Sequence, residues 1–106
     1  MQANEYQEFT RTTVRYPSDS AIPYLLHLLT EEVGEVNGVF AKAIRDGWNK
    51  TEIHDKIRFE LGDVCWALFR LMDELGYTPE QIMEINVEKL QGRVERNTLH
   101  GEGDNR

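Results

Sequence analysis

Two long stretches of the chain repeat their apolar residues at steps of three and four, and this period constrains the fold more than any other feature. From Leu25 the series runs through Leu28, Leu29, Val33, Val36, Val39, Phe40, Ala43 and Ile44. From Ile53 it runs through Ile57, Leu61, Val64, Leu68, Leu71 and Leu75. An α-helix gathers such positions on one face, whereas a half-buried strand needs strict alternation. Two long helices follow. The second also carries Trp66, Phe69 and Met72, and so wide an apolar surface predicts burial on more than one side.

Turn chemistry divides the rest. Gly47 and Asn49 end the first long helix near Asp46, and Gly76 stops the second. Thr78-Pro79-Glu80-Gln81 then reads as cap, first-turn proline and capping-box glutamine, so a further helix begins at about Pro79. It carries Ile82, Ile85, Leu90 and Val94 interleaved with Lys89, Arg93 and Arg96, which makes one face basic. Towards the start, the spacing of Tyr6, Phe9, Thr13 and Val14 predicts a short helix within Asn4–Arg15, then a loop through Tyr16 and Ser20. Ser18, Asp19 or Ser20 is expected to cap the helix that starts near Ala21, with Pro23 in its first turn. Thr98–Arg106 is too polar for a core element. With no strand pattern and no internal repeat, the expectation is an all-α helical bundle, one domain over 1–106 with 98–106 a polar tail.

At 106 residues, 40% hydrophobic and 29% charged, the chain holds enough apolar material for one core, and helical domains this small often complete theirs by pairing. A homo-oligomer is expected. Nineteen acidic against twelve basic residues leave a net charge of -7, which repels nucleic-acid backbones and disfavours that class of partner. Cys65 is the sole cysteine, so intrachain disulfides and multi-cysteine zinc sites are excluded. No segment approaches the roughly 18 apolar residues of a membrane span, and no secretory signal pattern opens the chain. A reducing cytoplasm is the expected setting, with no membrane partner.

The acids carry the chemistry. Glu32 and Glu35 lie one turn apart on one long helix, Glu60 and Asp63 one turn apart on the next, and Glu31 sits beside Glu35. Apolar neighbours Val33, Val36, Leu61 and Val64 place both pairs at the edge of the core stripe. Helices packed antiparallel about 8 to 10 Å apart would bring these carboxylates to one volume. Their repulsion is relieved either by protonation or by a cation, and hard oxygen ligands suit Mg²⁺, with Mn²⁺ able to substitute. Magnesium commonly shares its shell with substrate phosphates. Gly34 and Gly62 fall inside the two pairs despite costing about 0.5 to 1 kcal/mol in mid-helix, which would allow a backbone or ligand to approach closely.

The pattern Glu31-Glu32-Val33-Gly34-Glu35 followed by Glu60-Leu61-Gly62-Asp63 resembles the MazG-like all-α nucleoside triphosphate pyrophosphohydrolases. The resemblance extends through Asn86, Lys89, Leu90 and Arg93, read as NxxKLxxR, to the closing Gly103-Asp104-Asn105-Arg106. It implies a four-helix core, a homodimer or a tetramer built from dimers, and magnesium-dependent cleavage of a nucleoside triphosphate between its α and β phosphates. It also implies that Glu32, Glu35, Glu60 and Asp63 ligate the metal, while Glu31 binds a further metal or positions the attacking water. On chemical grounds Glu31 or Glu35 can take the proton of that water. Lys89, Arg93 and Arg96, with Asn86 from the same segment, are the candidates for the leaving pyrophosphate.

Two readings compete. A phosphoribosyl-ATP pyrophosphatase carries a related acidic motif, and a non-catalytic helical oligomerisation module would use the acids for solubility alone. A di-iron bundle is disfavoured because neither acidic pair supplies the expected ExxH. Cys65, within an apolar run, reads as a small core residue, and Trp66 likewise. Trp48 in its turn is placed to cover a helix end. Base and sugar preference are not encoded in any of these spacings.

Overall fold

The computed structural model describes residues 1–104 and 106. Among them are four α-helices and no strand: α1 (Ala3–Thr10), α2 (Ala21–Asp46), α3 (Lys50–Glu74) and α4 (Pro79–Arg96), with short 3-10 turns at Arg11–Thr13 and Ser18–Ser20. Of the closing tetrapeptide noted above, Asn105 lies outside the described residues.

The hairpin of α2 and α3 is the body of the fold. Gly47 takes a left-handed conformation (φ 69°), and the Trp48 N–H donates to the Ala43 carbonyl at 3.0 Å, which closes α2. The Asn49 side chain then accepts from the Glu52 N–H at 2.9 Å while the Glu52 carboxylate accepts from the Asn49 N–H at 3.4 Å, a capping box that opens α3 at once. So short a connection forces the two long helices antiparallel, and their apolar faces pack together along their length. Leu25, Val39, Ala43 and Ala67 are buried there, and Tyr16, Ala21 and Leu25 form a cluster backed by Val14, Leu28, Trp66 and Leu71. At the start of α2 the expected side-chain cap is absent. The 3-10 turn of Ser18–Ser20 leads directly into the helix, and the Ser20 hydroxyl bonds the Asp19 carboxylate instead.

A buried guanidinium fastens α1 to α3. Arg70 Nε donates to the Tyr16 hydroxyl at 3.1 Å, Nη1 to Asp73 at 2.5 Å and Nη2 to Glu74 at 2.9 Å. Arg11 clamps the same Asp73 through two bonds of 2.8 and 2.9 Å, and the Gln7 side chain caps the Tyr77 carbonyl at 2.8 Å. The planar guanidinium suits this use because its donors diverge in one plane towards several acceptors. Arg11 and then Arg70 hold the Asp73 carboxyl down to about 2.

α4 begins as expected, with Thr78 and Gln81 completing a capping box after Gly76 at φ 86°. It leans on α1, where Asn4 and Glu80 exchange two hydrogen bonds of 3.2 Å, and makes no extensive contact with α2 or α3. The bundle therefore stays open within one chain. The expected second stripe of Trp66, Phe69 and Met72 is half-buried, whereas part of the main series has nothing over it: Leu61, Leu68 and Leu75 are exposed, with Phe59 and Cys65 beside them. The core position expected for Cys65 is thus overturned, because the helix that would have covered it is directed elsewhere. Trp66 is half-buried against the core, its indole N–H donating to the Thr13 hydroxyl at 2.7 Å. Trp48 packs under the Lys56 ammonium, 4.6 Å from the ring centre.

Openness shows in the dimensions. The radius of gyration is 17.0 Å, against about 13 Å for a compact chain of this length. The accessible surface is 7758 Å², against about 6100 Å² for a compact monomer of this mass. Exposed apolar residues recur every seven positions on both long helices, Leu26, Val33 and Phe40 on α2 and Leu61, Leu68 and Leu75 on α3. A seven-residue period keeps such residues on one stripe of each helix.

Replacing Arg70 by Met should cost about 2 to 4 kcal/mol, between the values for exposed and fully buried pairs, and should free the amides of α1 to exchange while α2 and α3 stay protected. Urea denaturation followed by hydrogen exchange measures both. Because the Asp73 carboxyl is depressed in the fold, its contribution is complete above about pH 4 and is lost as pH falls towards 2.

Candidate metal centre

The hairpin geometry brings acids from the two long helices together. One carboxylate oxygen each from Glu32, Glu60 and Asp63 lie within 4.8 Å of one another, Glu32 and Glu60 half-buried and Asp63 exposed. Opposite oxygens around an octahedral Mg²⁺ are about 4.2 Å apart and adjacent ones about 3 Å, so small side-chain rotations suffice to close the three onto one ion. Only hard oxygen donors are present, which fits magnesium or manganese chemistry and not a soft-metal site.

The electrostatics carry the mark of crowding. The Glu32 carboxyl is pushed above its usual range, first by burial and then by the negative charges of Asp63, Glu31, Glu60 and Glu35. All five acids named from the sequence therefore act on one point, although two of them stand outside the group of three. Glu35, one turn further along α2, and Glu31, on its flank, are both exposed and lie outside the group of three. Val33 and Leu61 beside the acids are about half exposed, so the cluster lies on an open face of the hairpin. A Cβ built at Gly34 or Gly62 would meet nothing within 4 Å. No backbone of the same chain crowds these glycines, and the space beside them is free for something else.

Tyr6, one of the apolar positions of the first helix, also acts at this site. Its phenol is pushed up by burial and then by the charges of Cys65 and Asp63, and its ring packs edge-on to Phe69 at 5.3 Å, so α1 brings an aromatic group within electrostatic reach of Asp63. No local spacing signals this, since Tyr6 and Asp63 are brought together only by the docking of α1.

The basic residues are placed differently. Asn86 and Arg96 are exposed on α4, Lys89 is half-buried and Arg93 is buried. None of them bonds to the acidic cluster. Lys89 Nζ and Arg93 Nη2 each meet the Asp104 carboxylate at 3.3 Å, and Arg96 Nη2 meets the Arg106 main-chain oxygen at 2.6 Å. Within a single chain the acids and the cations are thus two separate groups, one on the hairpin and one on the departing helix.

Comparison with known proteins gives this arrangement its kinship. A family model described as the MazG nucleotide pyrophosphohydrolase domain matches residues 22–97, a span that contains all five acids together with Asn86, Lys89, Arg93 and Arg96. The Gene 37 protein of Mycobacterium phage L5 is 32% identical over 114 aligned residues that cover 100% of both chains. No solved structure matches. With the family model spanning most of the chain, and the acids it covers gathered on adjacent turns of one helical hairpin, this chain belongs to the MazG nucleotide pyrophosphohydrolase family.

Proposed function

We propose that the chain hydrolyses a nucleoside or deoxynucleoside triphosphate between its α and β phosphates, releasing a nucleoside monophosphate and pyrophosphate, in a reaction that depends on Mg²⁺. The observation that carries this reading is the meeting of Glu32, Glu60 and Asp63 within 4.8 Å on the hairpin of a pyrophosphohydrolase-family chain. Glu32, Glu60 and Asp63 would hold the ion, and Glu35, which acts on Glu32 through its charge, would be the fourth ligand. A divalent ion held there supplies charge neutralisation on the phosphates and a more acidic water.

The chain's own groups do the rest. Glu31 or Glu35 accepts the proton of the attacking water, whose oxygen bonds to the α-phosphorus as the bond to the bridging oxygen breaks. The leaving pyrophosphate keeps that oxygen and its electron pair, and Lys89, Arg93 and Arg96 balance its charge, with Asn86 as a neutral donor. Since those four residues lie apart from the acids in one chain, the reading includes a second copy that covers the open hairpin face. About 1,600 Å² of surface beyond that of a compact monomer and the two heptad-spaced apolar rows support this assembly as a homodimer or a pair of dimers. Among the described residues no helix is long and apolar enough to cross a membrane.

Pyrophosphate release across the common ribo- and deoxyribonucleoside triphosphates, with phosphoribosyl-ATP alongside and with and without Mg²⁺, tests the activity. Turnover is expected only with the metal, and none with any substrate would favour a non-catalytic module. Asp63→Asn should lower kcat/KM about 100-fold or more while helical circular dichroism is kept, since loss of metal-held charge is worth several kcal/mol.

Thermal melting gives an independent reading. A carboxyl raised in the fold favours the folded state below its unfolded pKa, and that contribution is lost as pH rises through the raised value, so ionised Glu32 burdens the metal-free protein at neutral pH. Mg²⁺ should therefore raise Tm at pH 7.5, should do so less near pH 5, and should do little in Glu32→Gln. Light scattering is expected to give at least twice the 12.4 kDa chain mass, and Leu68→Arg to shift it towards one.

A further inference from the structure

The cations assigned to pyrophosphate are already occupied by an anion of the chain itself. The segment after α4 turns back at Asn97, which is left-handed (φ 56°), and closes into a loop stapled by Arg106. Arg106 donates to the carbonyls of Thr98, Leu99 and Gly103 at 3.0, 3.0 and 2.6 Å. A Cβ at Gly101 would come within 2.6 Å of the Arg106 Cδ, so a side chain at that position would push the staple aside. The loop sets one oxygen of Asp104 against both Lys89 Nζ and Arg93 Nη2, each at 3.3 Å.

The fit of this internal anion is loose. Charge-assisted bonds between such groups usually measure about 2.7 to 2.9 Å. The Asp104 side chain is 85% exposed, whereas that of Arg93 is only 6% exposed. Arg93 Nη2 has the Gly103 carbonyl at 3.1 Å as a further acceptor, but its buried Nε has no partner. A buried guanidinium with an unsatisfied donor is costly, and a phosphate group offers several charged oxygens where Asp104 places one. Gly103, left-handed at φ 80°, sets the turn that presents Asp104, a conformation that a residue with a Cβ would rarely adopt.

We propose that Asp104 is a displaceable internal anion that occupies the phosphate seat of Lys89 and Arg93 and must leave it when pyrophosphate, free or as part of the substrate, binds. This rests on the reading of Lys89 and Arg93 as phosphate-binding residues. The loop then acts as a built-in competitor. It keeps a buried cation partnered while the seat is empty, and it weakens retention of the pyrophosphate product.

Calorimetric titration of the full chain with pyrophosphate in the presence of Mg²⁺ tests it, using wild type, Asp104→Asn, Lys89→Gln and the double variant. Asp104→Asn should bind about two- to ten-fold more tightly than wild type, the range expected for losing one or two ion pairs to an exposed aspartate, and should melt no higher than wild type, since the same contacts are lost from the ligand-free fold. The gain should vanish in the double variant. In wild type, pyrophosphate should shift the Arg93 Nε–H and Asp104 amide resonances together. Unchanged or weaker binding by Asp104→Asn, with Lys89→Gln still weakening binding, would overturn the competitor role and leave the phosphate-binding reading standing. Equal binding by Lys89→Gln and wild type, or no binding by any of the four, would overturn both.

Discussion

Everything in this fold follows from how α2 is joined to α3. Gly47 ends one helix in a left-handed turn, Asn49 and Glu52 cap the next, and hardly any chain lies between. The antiparallel pairing so enforced buries Leu25, Val39, Ala43 and Ala67. It also drives Glu32 towards Glu60 and Asp63 against their mutual repulsion. Burial of Leu25 and Val39, at roughly 1.5 to 3 kcal/mol each, with smaller contributions from Ala43 and Ala67, outweighs a few partly solvated carboxylate repulsions. The cluster is therefore held in readiness by packing elsewhere in the hairpin, and its stored repulsion is what a divalent cation would relieve.

Two arginines illustrate how surroundings decide what a charge does. Arg70 is buried and engaged by two hydroxyls and two carboxylates, and it ties Thr10 at the end of α1 and Tyr16 beyond it to α3. Arg93 is equally buried but poorly served, with an unpartnered Nε and only a long contact to an exposed aspartate. The first arrangement has its donors matched to acceptors. The second is incomplete in the way expected of a seat whose proper occupant is another anion.

Much of this was legible in the chain. The three-and-four spacing specified α2 and α3, and Thr78 with Gln81 specified the start of α4, because these signals are local and act within a turn or two of the backbone. The acidic pairs were legible for the same reason. The Asn49 to Glu52 capping box obeys the same local rule. Local signals also misled: Ser20 suits an N-cap by type, yet the preceding 3-10 turn leaves its hydroxyl on Asp19. Cys65 lies within an apolar run, yet is exposed because that face of α3 has no cover in its own chain.

By itself, the sequence determined which segments are helical, where they begin and stop, and which helical turns carry carboxylates, since hydrogen bonding and apolar periodicity operate over a few residues. Tertiary structure alone decided that three of the five acids share one point, that Tyr6 stands beside them, that α4 leaves the hairpin open, and that Asp104 rests on Lys89 and Arg93. Those outcomes depend on the relative placement of whole helices. Placement is set by many weak packing contacts between residues far apart in the chain, and no single spacing encodes it.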